Sequence, residues 1–169
     1  MRYRVTAGTL TVKARSSIHD TTTVWNQVSG EIVADPEALT GVGPSGTTAR
    51  FEVDMTAFDA GDFLKNRKLR KDFDFAAHPR AHFELTALES VARTGSMFTA
   101  TARGTLAWRG KRVELTLAGR GTLDAMRVEA SATFELDIRW LGLSAPRFLI
   151  FKVEDEVTVA VAIRGVVMA

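Results

Sequence analysis

The chain contains no cysteine. That absence excludes disulfide frameworks, thiolate metal sites and cysteine nucleophiles together, and it fits a reducing compartment. Long apolar runs are missing too. No stretch approaches the roughly 18 residues of a membrane-spanning helix, and the longest, near Arg147–Val153 and Val157–Ile163, are broken by charges or have strand length. An excess of one sign of charge is also lacking. The 22 Lys and Arg face 20 Asp and Glu, a formal net charge of +2, so a general affinity for nucleic acid is not indicated. The opening residues, from Met1 to Val5, run straight into an alternating pattern without the apolar segment or cleavage site of an export signal. The expected location is cytoplasmic.

Catalytic motifs are scarce. His19 adjoins Asp20, but no nucleophile elbow accompanies the pair, and a polar turn explains it. His78 precedes Pro79 in a loop or at a helix end, and His82 falls on the wet side of its strand, opposite to Phe83. Neither has metal-ligand spacing. Glu154, Asp155 and Glu156 read as solvated residues flanking a turn before the last strand. Gly41 and Gly43 sit in a loop with no helix following, which excludes a dinucleotide or phosphate fingerprint. No metal and no cofactor is expected, and the chain reads as a protein that is not an enzyme. An enzymatic alternative would need a polar group aimed into the interior, and Thr9, Thr11, Lys13 and His19 are its candidates.

What is present is alternation. In the segment 51–55 the apolar residues are Phe51, Val53 and Met55, while Glu52 and Asp54 point the other way. Val113, Leu115 and Leu117 alternate with Arg112, Glu114 and Thr116. From Met126 to Trp140 the pattern reads as unbroken, with Val128, Ala130, Ala132, Phe134, Leu136, Ile138 and Trp140 on one side. A period of two sets one strand face in a dry interior and the other in water, which is the habit of antiparallel sheets. Strands are expected at 2–15 (bent near Gly8), 23–34, 47–56, 80–90, 96–109, 110–120, 124–138 and 155–164, with a shorter extended piece at 147–153. Turn residues separate them: Asp35 and Pro36 with Gly41, Gly43, Pro44 and Gly46, then Arg109-Gly110-Lys111, then Arg120-Gly121. Many strands joined by short turns within 169 residues make one domain over 1–169, a sandwich or a barrel.

One stretch, from about Gly61 to Phe73, leaves the period. Asp62 can cap a helix there, with Leu64, Leu69 and Phe73 sharing a face and Phe63 and Phe73 as anchors. Its cations Lys65, Arg67, Lys68, Arg70 and Lys71 form either a solvated face or a surface for a lipid head group or membrane. A nucleic-acid partner is not expected, because that would need exposed aromatics interleaved with the charge.

The size of the inward residues bears on whether the interior is hollow. Ala87, Ala100, Ala102, Gly104, Gly119, Ala130 and Ala132 are small, whereas Phe51, Phe83, Phe98, Trp108 and Phe134 are large. Large residues opposite small ones can interlock into a filled core. Small residues clustered in consecutive strands favour a gap instead, and an apolar gap suits an apolar ligand. The candidate ligand contacts are Phe51, Val53, Met55, Phe83, Leu85, Phe98, Leu106, Trp108, Leu115, Leu117, Phe134 and Leu136.

The order of these features resembles the YceI-like family. The resemblance rests on the run from Phe58 to Phe73 with Asn66-Arg67 and Asp72, on His78-Pro79 before Ala81-His82-Phe83, and on the strand from Gly104 through Trp108 to Gly110. The stretches Phe134–Ile138, Leu141-Gly142-Leu143 and Val153–Val157 extend it over nearly the whole chain. The family's early His-Ser pair is absent, with Ala7-Gly8-Thr9-Leu10 in that region, as is its common export signal. The resemblance implies a mainly β fold, an eight-stranded antiparallel lipocalin-like barrel with a short helix near one end. It also implies binding, transport or sequestration of a polyisoprenoid or other long apolar chain. Alternatives are an enzyme acting on a hydrophobic substrate in the same cavity, and a stress-response interaction protein with a filled core. Transient contact with a membrane surface and a homodimer are the further partners considered.

Overall fold

The computed structural model describes residues 1–16, 20–39, 46–144, 147–148 and 151–169. His19 and the loop positions Gly41, Gly43 and Pro44 lie outside the described residues. The first strand, β1 (Arg2–Ser16), opens with Tyr3 and Val5 buried between exposed Arg2, Arg4 and Thr6. A bulge between Val5 and Ala7 reverses that parity. Beyond it Leu10 and Val12 face the interior, and Thr9 and Lys13 are exposed outside.

The chain continues through β2 (Thr21–Trp25), β3 (Val28–Val33), β4 (Thr48–Asp54), the short β5 (Phe58–Asp59), α1 (Phe63–Phe73), β6 (Arg80–Thr94), β7 (Met97–Trp108), β8 (Lys111–Leu123) and β9 (Arg127–Asp137). A 3-10 turn (Ile138–Leu141), β10 (Arg147–Phe148) and β11 (Phe151–Val167) complete it. All pairings are antiparallel. The order β11-β9-β8-β7-β6-β4-β3-β1 closes on itself where β1 pairs with β11, from Tyr3–Val167 to Ser16–Val153. The result is a closed eight-stranded barrel with one short helix. β2 continues β3 along β1, and β5 extends β2.

Several expectations change, among them the strand end at Arg120-Gly121, which lies inside β8 with Gly121 paired to Phe98 and Ala130. Glu154, Asp155 and Glu156 do not flank a turn; they lie inside β11, with Glu156 paired to Asp137 and Asp155 3.9 Å from Arg139 Nε. The alternation from Met126 stops at Asp137, whose carboxylate accepts the Arg139 N–H and starts the 3-10 turn. Ile138 stays buried, but Trp140 is thrown to the surface at 56% exposure. In β6 an irregularity between Leu85 and Ala87 shifts the register, so Leu88 rather than Ala87 reaches the interior.

The helix crosses the barrel end where β1 finishes and β6 begins. Asp62 accepts the Lys65 N–H at 2.9 Å, and Asp74 ends the helix in the left-handed region at φ 48°. Leu69 is buried and Phe73 half-buried. Leu64 does not share their face. Five residues before Leu69, it is rotated by about 140°, and it is 72% exposed; Phe63 is 74% exposed and anchors nothing. The anchor that sequence reading overlooked is Phe75, 1% exposed. Its ring lies 4.7 Å from Phe58, 5.8 Å from Phe73, 5.9 Å from Trp108 and 6.1 Å from Trp25. Such clustered rings add about 0.5–1.5 kcal/mol per pair to the burial of their area. They close this end. A second cluster around Tyr3, Val5, Ile32, Leu123 and Val128 packs towards the opposite end, with the Tyr3 hydroxyl donating to the Asp124 carbonyl at 2.7 Å.

The turns depend on carboxylates. Asp124 accepts the N–H groups of Met126 and Arg127, Asp54 the N–H and the hydroxyl of Thr56, and Asp137 the Arg139 guanidinium. These hydrogen bonds hold all three carboxyls below their ordinary 3.8. A folded value below the unfolded one gives stability that is present above 3.8 and lost as pH falls through the folded values. Asp124→Ala is therefore expected to lower the melting temperature at about pH 7 and to change it little at about pH 2; parallel thermal melts of wild type and variant check this.

Candidate functional site

Between the two clusters the barrel is hollow. The space measures about 310 Å³, within the range of roughly 300–1,000 Å³ common for small-molecule sites. Many inward apolar side chains are only partly buried, among them Leu10, Phe51, Val53, Phe83, Leu85, Phe98, Leu106 and Phe134. The area they keep borders the cavity. All the candidate contact residues named from sequence line its wall: Phe51, Val53, Met55, Phe83, Leu85, Phe98, Leu106, Trp108, Leu115, Leu117, Phe134 and Leu136.

Strand register explains the void. Ala100 pairs with Gly119, and Gly119 with Ala132; one row further, Phe98 pairs with Gly121 and Gly121 with Ala130. Apart from Phe98, these rows form a contiguous strip of Ala and Gly across β7, β8 and β9. On β4 and β6, the strands that follow β7 around the barrel, Phe51 and Phe83 stack at 6.2 Å and 23°. Not every small residue contributes space. The Phe83 ring lies over Gly104, so a Cβ there would run into it. Gly121 likewise has no room, because the Glu129 carbonyl and the Ala130 backbone press on it. Gly119 is different: the nearest atoms to a Cβ would be 3.8 Å away.

The wall offers little to a polar ligand. The indole N–H of Trp25 donates to the Met55 carbonyl at 3.1 Å, and that of Trp108 to the His78 carbonyl at 2.8 Å. Each ring thus spends its polar atom on backbone and turns hydrocarbon inward. Thr47 is a buried polar residue of the wall. His82 and Arg120 border the cavity from strands whose parity sends their side chains outside, where both are exposed. A buried water needs about two to four polar partners, so this space suits hydrocarbon better than water.

The groups considered for chemistry are elsewhere. Lys13 and Thr9 are on the outer face, Thr11 shares their parity, and His82 approaches Glu52 at 3.8 Å outside the barrel. The carboxyls with lowered proton affinity, Asp54, Asp59, Asp124 and Asp137, bond N–H groups at turns and caps. Among the described residues no His, Asp and Glu side chains gather into a group able to hold a metal ion.

Sequence reading missed part of the wall. Leu10, Val12, Val157, Val159, Val161 and Ile163 also line it; their alternation was visible in two strands that had been assigned, and carrying the parity across the β1 bulge would have found them. Trp25 and Phe75 had no such signal, since one ends a short strand and the other follows a helix.

The model of the YceI-like domain matches residues 3–164. The chain belongs to the YceI-like family. A search of curated proteins gives no match. Solved structures share the YceI-like fold at low identity. BcnA of Burkholderia cenocepacia has a TM-score of 0.72 at 19% identity, over 93% of this chain and 95% of that one. A polyisoprenoid binding domain from Saccharophagus degradans, implicated in plant cell wall breakdown, has a TM-score of 0.75 at 14% identity, over 98% of each chain. The YceI protein of Campylobacter jejuni has a TM-score of 0.66 at 13% identity, over 87% of this chain and 85% of that one.

The two neighbouring glycines should respond oppositely to the same change. Gly119→Ala adds a methyl where space exists and removes glycine's excess freedom in a strand, so a gain of about 0.5–1 kcal/mol is expected. Gly121→Ala forces backbone apart and is expected to cost about 1–3 kcal/mol. Denaturant unfolding of the two variants decides it; equal effects would contradict the register described.

Proposed function

We propose that the barrel binds a long apolar chain of polyisoprenoid type, for carriage or sequestration and without chemistry on it. The observation that carries this reading is the wall itself, a closed hydrocarbon surface whose indole N–H groups are satisfied by backbone. Burial drives the binding at about 0.8 kcal/mol per CH₂ transferred from water. Selectivity follows from shape, since the wall offers few hydrogen bonds to a polar competitor. The polyisoprenoid binding named for the Saccharophagus degradans domain supports the same class of ligand. The positions of Lys13, Asp54, Asp124 and Asp137 outside the cavity favour binding over catalysis.

Native mass spectrometry of freshly purified protein should detect a bound apolar species, and a fluorescent isoprenoid analogue should saturate at one per barrel. Gly119→Phe, which places a ring in the open strip, should reduce uptake at least about tenfold, a loss of about 1.4 kcal/mol, while the melting transition stays cooperative. Protein that is always empty and takes up no analogue would sink the proposal.

A further inference from the structure

We infer that the outer face of α1 docks on an anionic lipid bilayer. The helix turns Leu69 and Phe73 into the barrel mouth. Its opposite face carries Phe63, Leu64, Arg67 and Lys71; Arg67 follows Phe63 by four residues and Leu64 by three, and Lys71 follows Arg67 by four, so the four side chains fall within about 100° of the helix surface. All four are exposed, the two apolar ones at 74% and 72%. Two adjacent large apolar side chains so exposed on the first turn of a helix are unusual for a solvated face. Among the described residues Arg67 and Lys71 take part in no ion pair. Of the neighbouring acids, Asp62 caps the helix, and Asp72 pairs with Lys68 at 3.0 Å.

This pattern fits a membrane surface. Apolar residues at one end of the stripe can enter the head-group boundary while the cations meet lipid phosphates. A soluble polyanion would use the cations but leave Phe63 and Leu64 in water. The helix is 11 residues long, too short to span, so the contact is peripheral. Because α1 covers one end of the cavity, docking would bring that end against the bilayer. The surface stands on its own residues; only its consequence, exchange of ligand with the membrane, rests on the lipid-binding reading above.

The test is co-sedimentation of the full chain with vesicles of phosphatidylcholine, alone or mixed with phosphatidylglycerol. Binding is expected on the mixed vesicles at low salt, with release at high salt. Phe63→Ser with Leu64→Ser, and Arg67→Glu with Lys71→Glu, should each weaken it at least about tenfold. Both variants should keep the wild-type melting temperature and the wild-type uptake of the fluorescent isoprenoid analogue added in solution, since none of the four residues lines the cavity. No sedimentation with mixed vesicles at low salt would overturn the inference. So would loss of binding on charge reversal alone, with the serine variant unaffected, which would mark a plain electrostatic patch. Failure of the wild type to take up analogue would count against the cavity reading, and sedimentation would still decide the docking surface.

Discussion

The pairing of β1 with β11 joins the first and last strands of the chain along most of their length, and the interior exists because of it. An open sheet of these strands would leave two edges and one apolar face in water. Closure removes both edges of the ring and converts the apolar face into an enclosed volume. It also fixes how wide that volume is, because an eight-stranded barrel has an interior only just wide enough to be filled by side chains or to hold one small ligand. The sizes of the inward residues then decide between the two outcomes.

Here the balance is set by strand register rather than by composition. Ala100, Gly119 and Ala132 stand side by side on three neighbouring strands, and Gly121 and Ala130 extend the strip. The same residues dispersed around the barrel would each be covered by a larger neighbour, as Gly104 is covered by Phe83. Aromatic bulk gathers at the helix end and in the Phe51–Phe83 stack on β4 and β6, while Phe98 and Phe134 flank the strip on β7 and β9. The void persists where Ala100, Gly119 and Ala132 adjoin on three neighbouring strands. The wall between β8 and β9 also changes character along its length. Among the described residues, strand pairing covers Ala118–Leu123, and beyond it Ile138, Leu141 and Leu143 pack in the cluster that holds Val113, Leu115 and Leu117 of β8.

Much of this was legible in the sequence because a strict period of two carries both secondary structure and facing. The strands from Phe51 to Asp54, Val113 to Leu117 and Val128 to Leu136 sit with the inward residues their alternation required. What the period could not convey was where it slips. The bulges after Val5 and Leu85 exchange inside for outside by a single residue, which moved Ala87 off the wall and Leu88 onto it. Trp140 continued the count but not the strand, since Asp137 had already begun a turn. In α1 the error was angular: Leu64 and Leu69 are both leucines on one short helix, yet a five-residue spacing puts them on different sides. Phe75 follows that helix, outside any periodic segment, and its burial comes from four rings brought together only by the closed barrel.

The central claim is that a closed barrel encloses a dry space between the Phe51–Phe83 stack and the Gly119–Ala132 strip. A high-resolution crystal structure of the protein as purified tests this most directly. The account predicts an apolar space of about 310 Å³ there, with elongated apolar density within it. Rings of Phe51, Phe83, Phe98 or Phe134 turned across the barrel and packed against Gly119, leaving no space between the walls, would contradict it.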